Sequence, residues 1–167
     1  AITSVGTLTS LGIENNFTIN DGDAVLTSGN IDLQTGYVEF SDGTKLDSTQ
    51  TDVIGIRIDN GTSVLTTGKK GHRVIPYNCT VTEWTVSSTN SGSIQWDINW
   101  CTYANWATTA SVAGSGLPSI SSAYKNQDTS VNWTKTTFAA GDIIEFEIDS
   151  VTTLTNCTVS LKIERTV

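Results

Sequence analysis

Several residue types are scarce in this chain of 167 residues, which contains no methionine, two prolines and only 16% charged residues. Residues that favour helices are few, and no apolar run approaches the roughly 20 residues of a membrane span. The composition therefore predicts neither a helical fold nor insertion into a membrane. Because an initiator methionine is missing, we expect either a processed product or the C-terminal piece of a longer protein.

Basic residues are also scarce, since nine lysines and arginines are opposed by 17 aspartates and glutamates, which gives a net charge of −8. Nucleic-acid binding depends on clustered basic side chains. Only Lys69, Lys70 and Arg73 come close together in the sequence. We therefore expect no nucleic-acid partner.

His72 is the only histidine. A Ser-His-Asp or Cys-His catalytic arrangement would have to use it. It lies in a predicted loop beside Gly71, and the chain contains no Gly-x-Ser-x-Gly motif. We interpret His72 as a solvated side chain and expect no catalytic residue and no enzymatic activity.

Cysteine is limited to Cys79, Cys101 and Cys157, an odd number at wide spacing that does not suit a disulfide framework. We expect three buried thiols; the alternative is a Cys79–Cys157 disulfide, because both residues occur in the tetrapeptide Asn-Cys-Thr-Val. A single histidine and dispersed cysteines make no zinc site. Asn20–Asp23 and Asp47 offer oxygen ligands for Ca²⁺, but a hairpin turn accounts for them, and we expect no metal and no cofactor.

Serine and threonine, by contrast, are abundant, with 18 and 28 copies. Residues 1–50 consist of extended pieces of three to five residues, separated by turn signals such as Asn20–Asp23. Strands this short are stable only when they stack on neighbouring rungs or on identical chains. We therefore predict a β-rich fibre shaft for residues 1–50.

From Asp52 onward the strands lengthen, and apolar residues alternate with polar ones. The alternating segments are Ile54–Ile58, Tyr77–Val81, Ile94–Trp100, Ile144–Ile148 and Cys157–Ile163. Links rich in glycine or asparagine separate these strands, at residues 68–71, 87–92, 114–116 and 139–141. Each strand is thus predicted to have one buried and one wet face.

Regularly spaced antiparallel strands without a long helix predict an all-β fold, specifically a β-sandwich of jelly-roll type. The one segment with helical character, residues 102–113, is predicted to be a loop with a helical turn. We expect the sandwich to occupy residues 71–167, with residues 51–70 as a connecting strand and loop after the shaft.

Several short motifs occur in the order and spacing of a known family. They are Val5–Leu11, Val38–Thr44, Ile75–Val81, Ser91–Ile94, Thr102–Asn105, Pro118–Ala123, Ala140–Asp142 and Thr158–Lys162. From Gly71 onward the chain resembles a C-terminal β-sandwich domain of tailed-bacteriophage structural proteins, tail fibres especially. The N-terminal motifs resemble shaft segments of fibres from phages of cyanobacteria and other marine bacteria. Trp100–Cys101 departs from the family, in which a charged residue more often precedes Thr-Tyr-Ala.

The resemblance implies a homotrimeric virion fibre or spike subunit with a slender shaft and a distal globular knob. The knob would contact a host-surface glycan or receptor, and the sequence upstream would contact other virion proteins. A head fibre or decoration protein on the capsid fits the same resemblance. Two other classes stay open, a fragment of a polysaccharide-degrading tailspike and a bacterial carbohydrate-binding module or adhesin.

The tailspike alternative would need a pair of carboxylates facing a cleft. Glu145, Glu147 and Asp149 are spaced about 7 Å apart along one face of a strand. Any solvated strand face produces the same spacing, and we interpret these residues in that way.

Aromatic residues are the candidate ligand-binding residues. Trp96 and Trp100 alternate with polar residues and are predicted to lie in the core. The remaining candidates fall in segments with turn or loop character, where rings stack on sugars and polar neighbours bind hydroxyl groups. The alternative is that these rings cap the sandwich or lie at a subunit interface. The candidate glycan-binding residues are Tyr103, Asn105, Trp106, Tyr124, Asn126, Asp128 and Trp133, with Gln127 as a further polar group.

Overall fold

A computed structural model describes residues 50–166, apart from residues 113 and 115, together with the backbone of two short strands upstream. These are β1 (Val38–Glu39) and β2 (Lys45–Leu46), which pair in antiparallel register. The other shaft residues and the candidate calcium ligands Asn20–Asp23 and Asp47 lie outside the described residues. The shaft therefore stays a prediction.

The described residues form an antiparallel all-β fold, which confirms the predicted fold class. Their helical content is a single 3₁₀ turn, Tyr103–Asn105, inside the segment where a helical turn is predicted. No helix in this part of the chain is long and apolar enough to cross a membrane. The strands of the main sheet are β3 (Thr51–Asp59), β4 (Gly68–Val74), β5 (Cys79–Cys101), β6 (Ala110–Ser111), β7 (Ser119–Asp128), β8 (Thr137–Phe138), β9 (Ile143–Thr152) and β10 (Asn156–Arg165).

The long strand β5 is the centre of the sheet. Its first half pairs with β10, and its second half pairs with β9, so that the strand order is β3-β10-β5-β9-β4. The strand β7 lies along the other edge of β5 and pairs with both halves. Register shifts between Ser87 and Gly92 bend β5, and the sheet curls over on itself.

The prediction that residues 87–92 separate two strands is wrong, because these residues form a bend within one continuous strand. Polar side chains near the bend make hydrogen bonds to the neighbouring turn. Asn90 Nδ2 donates to the Thr153 carbonyl oxygen at 2.8 Å, and Ser88 Oγ donates to the Asn156 carbonyl oxygen at 2.7 Å. Serine and asparagine side chains, which are typical of a loop, here anchor a bent strand.

The two outer strands, β3 and β4, meet where the curl closes. Arg73 Nε in β4 donates to the Gly55 carbonyl oxygen in β3 at 3.1 Å. Because β3 pairs with β10 along its whole length, the sheet begins at Thr51 and not at Gly71. The predicted link at residues 68–71 and the predicted loop position of His72 are also wrong, since both belong to β4.

The core lies inside the curl and consists of the side chains that the period-2 alternation assigns to one face of each strand. Trp96 is fully buried, as predicted, whereas Trp100 is half-buried against the edge of the core. The largest fully buried side chains include Trp96, Phe146, Ile94, Ile98, Ile144, Ile148, Leu161 and Ile163.

The three cysteines are buried and unbridged, which confirms the leading prediction. The alternative Cys79–Cys157 disulfide is wrong for a geometric reason. Cys79 lies opposite Arg165 in β10, whereas Cys157 lies near the other end of that strand. At about 3.3 Å per residue the two are separated by roughly 26 Å, far beyond the span of a disulfide.

We predict that the thiols react with a thiol-specific reagent at pH 8 only after the protein is unfolded. Burial raises the pKa of Cys79 and Cys101, and it raises the pKa of Cys157 to about 11. At pH 8 only about one Cys157 thiol in 1,000 is then ionised, and the thiolate is the reactive form. Absorbance of the released chromophore counts the thiols, and fewer than three in urea would reveal a disulfide and contradict the structure.

The Gly92→Ala variant is expected to lose about 1–3 kcal/mol of unfolding free energy. A Cβ atom at position 92 would lie 2.6 Å from both the Leu154 side chain and the Thr152 carbonyl oxygen. Urea denaturation followed by tryptophan fluorescence measures the change. Ser91→Ala is the matched control, because Ser91 is exposed and accepts a bond from Thr153 through its backbone carbonyl. Equal midpoints for both variants would contradict close packing at the bend.

Candidate functional site

Three of the predicted ligand-binding residues lie together in the loop that follows β5, residues 102–109, here called the aromatic turn. Backbone hydrogen bonds close it tightly: Asn105 N donates to the Thr102 carbonyl oxygen at 3.0 Å, and Thr108 N donates to that of Asn105 at 2.7 Å. The turn presents its rings outward, with Tyr103 78% exposed and Trp106 41% exposed. Asn105 is exposed between them.

Trp106 is supported by a residue from a distant part of the chain. Its ring lies 4.6 Å from that of His72 in β4, with an angle of 47° between the ring planes. A groove of about 410 Å³ lies beside it, lined by Ala104, Asn105, Trp106 and Thr108. This Trp106 groove combines an aromatic ring with an amide and a hydroxyl group, the combination that suits a sugar.

The aromatic turn is fastened to the sheet through Glu145 of β9, which is only 5% exposed. Thr109 Oγ1 donates to Glu145 Oε1 at 3.1 Å, and Lys69 Nζ lies 2.8 Å from the same oxygen. The hydrogen bond with Glu145 raises the pKa of Lys69. The buried carboxylate is thus compensated by a cation and a hydroxyl group, as a buried charge requires.

The interpretation of the three carboxylates as one solvated strand face is wrong for Glu145, which is buried, and the surroundings of the three differ. Glu145 is engaged by Lys69 and Thr109, and Glu147 accepts a hydrogen bond from Asn99 at 3.2 Å. Asp149 is exposed, and its pKa is raised by partial desolvation and by the nearby negative charge of Asp97. None of the three lines the Trp106 groove or the second cleft described next.

A second cleft of about 490 Å³, the Trp100 cleft, lies at the same end of the sheet. Trp100 Nε1 donates to Asp142 Oδ2 at 2.8 Å, and Ala139 N donates to the same oxygen at 3.0 Å. Lys135 Nζ lies 4.2 Å from the Trp100 ring centre and 5.2 Å from that of Phe138. The lining also includes Asn78, Cys79, Thr102, Thr137 and Thr166.

Sequence reasoning missed Lys135 and Asp142 and assigned Trp100 to the core. No local pattern marks the two polar residues, because they reach Trp100 from separate segments of the chain. The position of Trp100 next to the end of β5 was the one available signal, since a ring at the end of a strand is covered by fewer neighbours. Thr102 lines this cleft and also begins the aromatic turn, so the two features adjoin.

The other predicted residues do not join this arrangement. Trp133 is 7% exposed and its Nε1 donates to the Gly116 carbonyl oxygen at 3.1 Å, so the ring packs in the core. Tyr124, Asn126 and Asp128 lie in strand β7 and not in a loop. Tyr124 is 59% exposed.

Tyr124 is also remote from the aromatic turn. Its neighbour Ala123 pairs with Gly92, whereas the aromatic turn follows Cys101. The intervening length of β5 is roughly 30 Å at about 3.3 Å per residue. The predicted residues therefore divide into an aromatic turn, a separate patch on β7 and a buried tryptophan.

Comparison of the chain with protein-family models, with curated proteins and with solved structures finds no match. Within the part of the chain that the structure describes, no group of three or more His, Cys, Asp or Glu side chains is arranged to hold a metal ion. The geometry of the aromatic turn and its two clefts is therefore what supports a function.

The Asp142→Ala variant is expected to lose about 1–3 kcal/mol of unfolding free energy, because two donors, Trp100 Nε1 and Ala139 N, lose their shared acceptor. Urea denaturation monitored by tryptophan fluorescence measures the loss. Asp142→Asn keeps an acceptor oxygen and serves as the matched variant, with a smaller expected loss. Equal stability of the Ala and Asn variants would contradict this role of Asp142.

Proposed function

We propose that the chain is a non-enzymatic virion fibre subunit whose β-domain attaches to the host surface by binding glycan at the aromatic turn. The observation that carries the proposal is the exposure of Tyr103 and Trp106 on a hydrogen-bonded turn, with Asn105 between them. A rigid turn loses little conformational entropy on binding. Aromatic faces of this kind stack on sugar rings, while amides bind the hydroxyl groups.

The position of the turn also favours a ligand that approaches from the side of the domain. Arg165 N donates to the Gln50 carbonyl oxygen at 2.8 Å, so the chain enters and leaves the sheet at the same end. The aromatic turn follows the last residue of β5, Cys101, which pairs with Ile143 at that end. The ring of Trp106 contacts that of His72, so the aromatic turn lies against β4.

The fibre part of the proposal is supported by the sequence. Residues 1–50 carry short extended pieces that need stacking partners, and their motifs resemble fibre shafts. A homotrimer would place three aromatic turns on one particle. Multivalent attachment then multiplies a weak affinity without new contacts, so a shallow groove suffices for host attachment. In the same proposal, the upstream sequence contacts other virion proteins of a tail or head fibre.

Trp106→Ala and Tyr103→Ala are each expected to weaken glycan binding at least tenfold, about 1.4 kcal/mol, because each removes a stacking ring. A glycan array identifies the ligand, and calorimetry with the purified chain measures its affinity. Tyr124→Ala is the matched control, since it removes a ring whose exposure, 59%, lies between those of Trp106 and Tyr103, from the separate patch on β7. Unchanged affinity in both turn variants would overturn the proposed site.

A further inference from the structure

We propose that the Trp100 cleft is a subsite for the carboxylate of an acidic sugar, next to the aromatic turn that holds a neighbouring sugar ring. This inference rests on the proposed glycan-binding function and names the class of glycan. It is carried by the placement of one cation, Lys135, within a cleft of about 490 Å³ whose other lining groups are neutral or already engaged.

Two aromatic rings hold the ammonium group of Lys135 in the cleft. Its ammonium lies over the Trp100 ring at 4.2 Å and near the Phe138 ring at 5.2 Å. A ring face attracts the cation but offers no lone pair to its three N–H donors. Among the described residues, no carboxylate and no hydrogen-bond acceptor pairs with Lys135 Nζ. With respect to the described residues, these N–H donors are therefore available to an oxygen of a ligand.

Asp142 is the acidic residue in the lining, and it is directed to other partners. Its Oδ2 accepts from Trp100 Nε1 and from Ala139 N, and the residue is buried. Asp142 thus fixes the ring on which Lys135 lies. Asp142 is only 7% exposed, whereas Lys135 is half-buried, so among the described lining residues the ammonium is the more accessible charge.

The neutral lining suits the rest of a sugar. Thr102, Thr137 and Thr166 provide hydroxyl groups, and Asn78 provides an amide. Asn78 Oδ1 accepts from Ala140 N at 2.9 Å, which holds that amide in place. Thr102 joins the cleft to the aromatic turn, so one oligosaccharide can contact both. The net charge of −8 disfavours dense polyanions, so the ligand class is a saccharide with isolated carboxylates.

The test uses an array of acidic bacterial polysaccharide fragments, each paired with its carboxyl-reduced, neutral counterpart. The unaltered chain is expected to bind the acidic member of a pair about tenfold more tightly. Lys135→Met keeps an aliphatic stem over Trp100 but removes the charge, and it should abolish this preference without weakening the neutral sugar. Lys135→Arg should retain the preference. Lys125→Gln removes an exposed lysine of β7 and is the matched control.

The two proposals fail in different ways. If the unaltered chain binds neutral sugars as tightly as acidic ones, or if Lys135→Met keeps the preference, the acidic subsite is overturned and glycan binding stands. If the unaltered chain binds neither member of any pair, glycan binding itself is overturned. Thermal unfolding of each variant, compared with that of Lys125→Gln, establishes that a lost preference comes from a folded protein.

Discussion

The bend in β5 is the constraint on which the rest of the structure depends. Because the strand continues through residues 87–92, its first half holds β10 and its second half holds β9. The same bend brings the two ends of β5 together, so that Cys79 and Trp100 line one cleft. Gly92 lies in this bend, where a side chain would meet Leu154 and the Thr152 carbonyl oxygen, so close packing at the bend and the cleft at the far end belong to one strand.

The sequence predicted the fold class and the buried faces because these depend on local periodicity. Alternation at Ile94, Trp96 and Ile98 requires one inward face whatever the partner strand is, and all three are buried. The sequence did not predict the continuity of β5. Serine and asparagine at residues 88–90 are typical of a loop, and their role as anchors appears only when Thr153 and Asn156 lie opposite.

The candidate site was predictable only where its residues are close in sequence. Tyr103, Asn105 and Trp106 share one short loop, and the structure places them together. Trp133 has a similar sequence context, but a partner at Gly116 holds it in the core. The sequence did not predict a role for Lys135 and Asp142, because that role depends on their contacts with Trp100, which lies far earlier in the chain. Exposure and pairing across segments are properties of the tertiary fold.

The first and last described residues of the β-domain set a geometric condition on any fibre built from it. Gln50 is bonded to Arg165, and Thr166 N donates to the Asn78 carbonyl oxygen beside the Trp100 cleft. A shaft entering at Gln50 would therefore stand near the two clefts, whereas the bend of β5 would point away from it. Under the proposed function, the glycan must then approach along the flank formed by β4 and the aromatic turn. Under the same proposal the far end takes no part in glycan binding, and the hydrogen bonds of Ser88 and Asn90 there serve to hold the bent strand.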